Sequence, residues 1–320
     1  MSPKGDTAIF NFQLSIINYY FEWYIFMEKV IYALGFFDGV HIGHQALLTA
    51  CRRLAQEQGC KAGVVTFTSH PDTLLSGKTP LLINSPDDRK GLLTGVYAMD
   101  SMLEFPFDRE LMNTHWSVFL TALTELGAAG FVCGSDFRFG AGGSGTAKKL
   151  QAFCNKRGLP CAIIPQQQLD GIRVSSTHIR QLLEDGEMAQ AVRFLGHPHI
   201  LSGEVISGRR LGRTLGIPTA NIPLPEGVVC PKRGVYACKA YVDGKEYLAV
   251  TNIGTRPTVG GHHLVVEPWL LDFQGDLYGK ALILAFYDFI RPEQTFPSLE
   301  ALKAEIQENA AKVREFFGKT

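Results

Sequence analysis

The sequence predicts an α/β protein, an open parallel sheet with helices followed by a small antiparallel β-barrel and a C-terminal helix. Three observations predict it. Up to about residue 195, short apolar runs alternate with amphipathic stretches, the pattern of parallel strands joined by helical crossovers. Beyond Gly196-His197-Pro198, apolar runs follow one another with Gly and Pro between them and no helical stretch, as in a small barrel. The last stretch sets Leu299, Leu302, Ile306, Ala310, Val313 and Phe317 on one helical face.

Taken in order, the chain opens with an apolar, aromatic stretch over residues 8–27. Asn11, Gln13, Asn18 and Glu22 interrupt it, so it is a poor membrane span, and it lacks the pattern of a cleaved signal. Residues 1–26 are expected to be a non-native or disordered extension, with Met27 opening the first strand. Strands are predicted at Val30–Leu34, Ala62–Phe67, Ser101–Phe105, Gly130–Cys133 and Pro160–Ile164. Helical stretches between them include Gly43–Gln58, Trp116–Leu126 and Thr146–Arg157. Short helices at Ser176–Leu183 and Met188–Leu195 close this half. Barrel strands are predicted at His199–Ile206, Val235–Val242, Glu246–Ile253, His263–Trp269 and Ala281–Phe286. Asp243-Gly244 is a two-residue hairpin signal, because both positions favour φ > 0. The expected domains are 27–196 and 197–320.

Bulk composition narrows the function. A chain of 320 residues, 46% hydrophobic and 19% charged, is ordinary for two globular domains. Thirty-one Lys and Arg balance thirty-one Asp and Glu, which removes the electrostatic footprint of a nucleic-acid binder. Seven cysteines with no Cys-x-x-Cys pair point to free thiols in a reducing cytoplasm, not to a disulfide framework or zinc site.

The first half concentrates its chemistry where strands end. Gly35 to His44 joins the first strand to the first helix and carries His41-Ile42-Gly43-His44. Two imidazoles three residues apart share a helical face, and a helix N-terminus favours anions. With Gly39 and Gly43 opening the backbone, the segment suits a triphosphate under attack, His41 and His44 donating to its α-phosphate. A plain strand-to-helix turn with surface histidines has the same local pattern. Val132–Gly140 and Thr66–Pro71 also follow strands. Ser175-Ser176-Thr177-His178-Ile179-Arg180 offers hydroxyls and a cation at a helix start, for pyrophosphate or simply as a cap.

The second half offers Gly208-Arg209-Arg210-Leu211-Gly212-Arg213, a cationic loop suited to phosphates or a solvated basic turn. Pro218-Thr219-Ala220-Asn221 follows. If extended, Thr219 and Asn221 project to one side as oxygen donors for Mg²⁺ and ATP phosphates. Glu267, in an otherwise apolar strand, is a carboxylate that could take a proton from an attacking hydroxyl. An exposed strand glutamate fits that spacing as well.

These motifs resemble the bacterial bifunctional riboflavin kinase/FMN adenylyltransferase family, also called FAD synthetase. The likeness rests on His41-Ile42-Gly43-His44, Thr66–Pro71, Gly134–Gly140 and Ser175–Arg180 in the first half. In the second it rests on Gly208–Asn221, Asn252–Thr258, Glu267, Asp272–Gly279 and Phe289–Glu293. It covers about residues 28 to 318. The resemblance implies a nucleotidyltransferase domain followed by a riboflavin kinase barrel. Riboflavin would be phosphorylated to FMN and FMN adenylylated to FAD, with ATP and Mg²⁺ and no nucleic-acid or membrane partner. By that likeness His41, His44 and Arg180 act in adenylyl transfer, and Glu267 is the kinase base. Gly35, Phe37, Gly39, Gly43, Ser176, Thr177, Gly208, Arg209 and Arg213 hold ATP or phosphate, and Thr219 and Asn221 hold Mg-ATP. His70, Asp136, Phe137, Arg256 and Arg291 hold flavin. One departure is Pro268-Trp269, where the family commonly has a His two residues past the glutamate. Pro268 removes a backbone donor and suits an edge strand. Other readings are a single-activity adenylyltransferase with a flavin-binding or regulatory barrel, and a non-enzymatic flavin carrier.

Overall fold

In the computed structural model, residues 28–206, 217, 219–258 and 261–318 are described, with backbone alone at 256–258 and 261–263. The extension expected at 1–26 lies outside the described residues. Packing divides the chain into two compact units. One holds the residues up to Pro80 with Lys90–Val174, the other Leu81–Arg89 with Ser175 onward.

In the first unit, β1 (Val30–Leu34), β2 (Lys61–Phe67), β3 (Ser101–Phe105), β4 (Ala128–Gly134) and β5 (Cys161–Ile164) make one sheet. Its order is β3-β2-β1-β4-β5 and every pair is parallel. The five expected strands are all there: Val30–Leu34 and Ser101–Phe105 keep their expected bounds, and the other three differ at one or both ends by one or two residues. All five β1 residues are buried, which is why that strand reads as a continuous apolar run. The crossovers include α1 (Ile42–Gln58), α2 (Trp116–Glu125) and α3 (Ala147–Arg157). Thr146 caps the start of α3, and Gly158 ends it at φ 67°. Leu34, Phe119, Leu123, Phe131, Leu150 and Phe153 lie in one core cluster, each such side chain contributing about 1.5–3 kcal/mol. The strand order reverses between β1 and β4. In sheets of this kind the ligand crevice opens beyond the carboxyl ends of the strands at that reversal.

The second unit begins with α4 (Ser176–Asp185) and α5 (Met188–Leu195). Strands β6 (His199–Glu204), β7 (Ile222–Pro223), β8 (Gly234–Val242), β9 (Lys245–Thr258), β10 (Gly261–Leu270) and β11 (Ala281–Pro292) follow, then α6 (Leu299–Gly318). The sheet runs β6-β11-β8-β9-β10-β7, antiparallel throughout. Its two edges approach each other where Ile206 N donates to Asn221 O at 2.8 Å, so the barrel is nearly closed. Asp243 and Gly244 take φ 51° and 73° between the paired Val242 and Lys245, the two-residue hairpin the sequence signalled. Ala310 and Val313 of α6 pack on Val235, Ala237 and Val250.

Residues 81–89 belong to this unit although they are distant in sequence. Leu82 bridges Val228, Asn84 Nδ2 donates to Ile200 O at 2.9 Å, and Ser202 N donates to the Asp88 carboxylate at 3.3 Å. Packing therefore groups this strap and α4–α5 with the barrel, whereas the change of sequence texture falls near residue 196.

Candidate active sites

At the reversal point, the loop after β1 is held in a conformation side chains rarely adopt. Phe37 (φ 61°), Gly39 (φ 74°) and Val40 (φ 40°) all lie on the left-handed side, and for a β-branched valine that is strain. Such strain persists only where the surroundings over-determine it. Here Phe37 and Val40 are fully buried, Thr66 Oγ1 donates to Phe36 O at 3.0 Å, and Gln45 Nε2 donates to Val40 O at 3.0 Å.

The loop delivers His41 to the N-cap of α1, where its Nδ1 accepts from His44 N at 3.3 Å. A neutral ring that accepts at Nδ1 carries its proton on Nε2, so the cap selects the tautomer whose donor is Nε2–H. The His41 and His44 rings stack at 3.7 Å and 11°, and Phe37 meets His44 edge-on at 5.3 Å. Gly43 serves the pair directly: a Cβ there would stand 3.2 Å from His41 Nδ1 and Cε1. A side chain at that position would meet the imidazole itself. Gly35 lies against the Phe37 ring in the same way, its Cβ position 3.1 Å from Phe37 Cζ.

The neighbouring strand ends supply the other expected residues. His70 beyond β2 packs edge-on against Phe36 at 4.7 Å and its Nδ1 accepts from Asp72 N, which ties it to the β1 loop. Phe36 is the link the sequence reading missed, since an aromatic before a buried one carries no periodic signal. Asp136, beyond β4, pairs with Arg173 at 2.8 Å and accepts from Gln166 Nε2 at 2.7 Å. It thereby anchors the small ribbon Gln168–Leu169/Ile172–Arg173, while Phe137 stacks on Phe139 at 5.6 Å. Burial pushes the Cys51 and Cys133 thiols up to about 12, so neither is a thiolate nucleophile near neutral pH.

In the second unit, Ser175 caps α4, its Oγ accepting from His178 N at 3.3 Å. Ser176 and Thr177 fall in the first turn and Arg180 one turn on. The helix N-terminus with its hydroxyls is an anion-compatible end.

The barrel assembles its polar residues by register. Glu267 on β10 lies opposite Asn252 on β9, and Val266 lies opposite Ile222 on β7. Continuing that second register puts Asn221 beside Glu267, and Ala220 N donating to Pro268 O at 2.9 Å fixes it. Directly opposed residues share a face, so Asn221, Glu267 and Asn252 form one polar row across three strands. Asn221 is 4% exposed and, among the described residues, its Oδ1 has no hydrogen-bond partner. A buried hard oxygen without a donor fits a divalent cation such as Mg²⁺, and Thr219, two residues back, offers a second oxygen.

One expectation needs correcting. Pro268 is not on an edge strand, because β10 runs between β9 and β7. Its carbonyl points to the β7 side, so its missing N–H faces that side too, where the two-residue β7 ladder has already ended. The β9 ladder loses nothing there, and Glu267 keeps its place opposite Asn252. Arg291 pairs with Glu305 of α6 at 2.7 Å, both mostly buried, and so ties the end of β11 to the last helix. Gly208, Arg209 and Arg213 lie outside the described residues, and Arg256 is described in backbone only.

Comparison with known proteins gives two family matches, FAD synthetase over residues 26–178 and riboflavin kinase over 195–317. The bifunctional riboflavin kinase/FMN adenylyltransferase of Listeria monocytogenes is 34% identical, covering 92% of this chain and 94% of that one. The Escherichia coli K12 and Pseudomonas fluorescens enzymes of that name are 37% and 38% identical over 92% and 88% of this chain, and 94% and 91% of theirs. A crystal structure of a macrolide-efflux protein from Streptococcus pneumoniae superposes with a TM-score of 0.81 at 27% identity, covering 92% of this chain and 96% of that one. Efflux is said of that protein. Among the described residues here, no helix is long and apolar enough to cross a membrane.

Proposed function

The chain belongs to the bifunctional riboflavin kinase/FMN adenylyltransferase family, and from that premise we propose which residues carry each reaction. It is an enzyme that phosphorylates riboflavin to FMN and adenylylates FMN to FAD, with ATP as donor. The observation that carries both activities is the pair of family matches lying on separate stretches of one chain. The functional modules are residues 27–196 and 197–320, in the cytoplasm, where the seven free thiols would stay reduced.

For adenylyl transfer, a phosphate oxygen of FMN attacks the α-phosphorus of ATP. The new P–O bond forms as the α–β bridge breaks, and pyrophosphate leaves. FMN phosphate is already an anionic nucleophile, so the step needs no base, only positioning and charge stabilisation. His41 and His44 supply the latter: the cap on Nδ1 leaves His41 Nε2–H as the ring's donor. Ser176, Thr177 and Arg180 hold phosphates, and Gly35, Phe37, Gly39 and Gly43 shape the loop. His70 and Phe137 border the flavin, with Asp136 holding the ribbon beside it.

For the kinase, the terminal ribityl hydroxyl of riboflavin attacks the γ-phosphorus and ADP leaves. The hydroxyl must shed its proton, and Glu267 accepts it. Thr219 and Asn221 would hold Mg²⁺ with the ATP phosphates, and a cation there would supply positive charge against the negative charge that develops. Gly208, Arg209 and Arg213 contribute phosphate contacts, and Arg256 and Arg291 border the flavin.

A chromatographic time course with riboflavin and Mg-ATP, run beside one starting from FMN, tests the assignment. FMN is expected before FAD in the first and FAD in the second. FAD from FMN but nothing from riboflavin would reduce the enzyme to an adenylyltransferase with a silent barrel.

A further inference from the structure

The polar row of the barrel has a second carboxylate beside it. Glu293 follows β11, and its side chain lies over Gly254 of β9. A Cβ on Gly254 would stand 2.4 Å from Glu293 Oε1 and 3.1 Å from Asn252 Nδ2. Residues 252 and 254 share a strand face. The carboxylate therefore sits on the face that carries Asn252 and Glu267, beside the Asn252 amide. Its other oxygen, Oε2, is 3.9 Å from Arg233 Nε, an exposed pair too loose to stabilise the fold by itself. Asn252 thus has a carboxylate on either side, Glu267 across the ladder and Glu293 over the glycine.

An asparagine amide nitrogen has two hydrogens. We propose that Glu293 is a positioning residue for riboflavin phosphorylation: it accepts one Asn252 N–H and so turns the other toward Glu267. The proposal rests on Glu267 being the kinase base. Glu293 touches neither substrate nor the transferring phosphoryl group; it acts through Asn252. Gly254 belongs to the same device, because any side chain there displaces the carboxylate.

The test is steady-state kinetics of riboflavin phosphorylation by the full chain, with adenylylation of supplied FMN as the internal control. Glu293→Ala should lower kcat about tenfold, leaving KM for riboflavin and FAD formation from FMN unchanged. Glu293→Gln keeps an acceptor oxygen and should restore most of the rate. In an Asn252→Ala background, Glu293→Ala should cost nothing further, which a merely structural role would not produce. Gly254→Ala, whose methyl meets only the side-chain ends of Glu293 and Asn252, should reproduce the loss of kcat and guards against misfolding of the first variant. A kcat within about twofold of the parent in both Glu293→Ala and Gly254→Ala, or a full Glu293→Ala loss without Asn252, overturns the proposal. Full kinase activity in Glu267→Gln overturns the base assignment instead, whatever Glu293 does.

Discussion

The two catalytic regions are built in opposite ways. In the parallel-sheet unit, the histidine site is one continuous stretch from Gly35 to His44, shaped by strained backbone, a helix cap and a ring over a glycine. In the barrel, the polar row joins Asn221, Asn252 and Glu267, which come from three strands and meet only through register. The first depends on local conformation and fails when a nearby atom is moved. The second depends on strand pairing, so its residues can be altered singly while the sheet persists.

The sharpest way to break this comparison is to remove the chemistry from one region at a time. Glu267→Gln should reduce FMN formation from riboflavin by about two to four orders of magnitude and leave FAD formation from FMN intact. Equal loss of both reactions, measured on the same preparation, would mean that the regions are not separate sites.

A smaller effect probes the local construction. Gly43→Ala puts a methyl 3.2 Å from the His41 ring, which must shift by a few tenths of an ångström against its cap. FAD formation from FMN should fall about ten- to a hundredfold with riboflavin phosphorylation unchanged. An alanine variant with parental adenylyl transfer would show that ring placement is not critical.

The smallest effect concerns stability and belongs to the barrel. His199 is completely buried, its two ring nitrogens have no hydrogen-bond partner among the described residues, and burial pushes its pKa from 6.5 down to about 3. A base with a depressed folded-state pKa binds its proton more readily when unfolded. Its neutral form therefore costs nothing above pH about 6.5, and stability is lost as pH falls from there toward about 3, by up to about 1.4 kcal/mol per pH unit. Denaturant unfolding of the parent and His199→Leu at pH 7 and pH 5 should show a smaller acid loss in the variant. The same loss in both would assign the acid sensitivity elsewhere.

The same contrast explains what could be read from sequence. Apolar runs alternating with helical stretches announced the parallel sheet, and apolar runs without them the barrel, because strand and helix periods are local properties, and Asp243-Gly244 announced its hairpin. His41-Ile42-Gly43-His44 was legible as a site because its parts are adjacent, though the packing of His41 over Gly43 was not, since ring placement depends on the loop's left-handed residues. Asn252 and Glu293 were legible only as segments: nothing in a linear chain says that residues 221, 252 and 267 share a row. The edge-strand reading of Pro268 failed because it judged the missing N–H without knowing how short its neighbour β7 is. Arg291 and Asp136 show the same limit, as their partners Glu305 and Arg173 are set by tertiary packing.

The central claim, two reactions at two separable sites of one chain, is tested most directly by mixing two purified variants. His41→Ala/His44→Ala should make FMN from riboflavin but no FAD, and Glu267→Gln should make FAD only when given FMN. Mixed with riboflavin and Mg-ATP, the two should restore FAD, the first supplying FMN to the second. FAD absent from the mixture, or Glu267→Gln inactive on supplied FMN, would contradict the account.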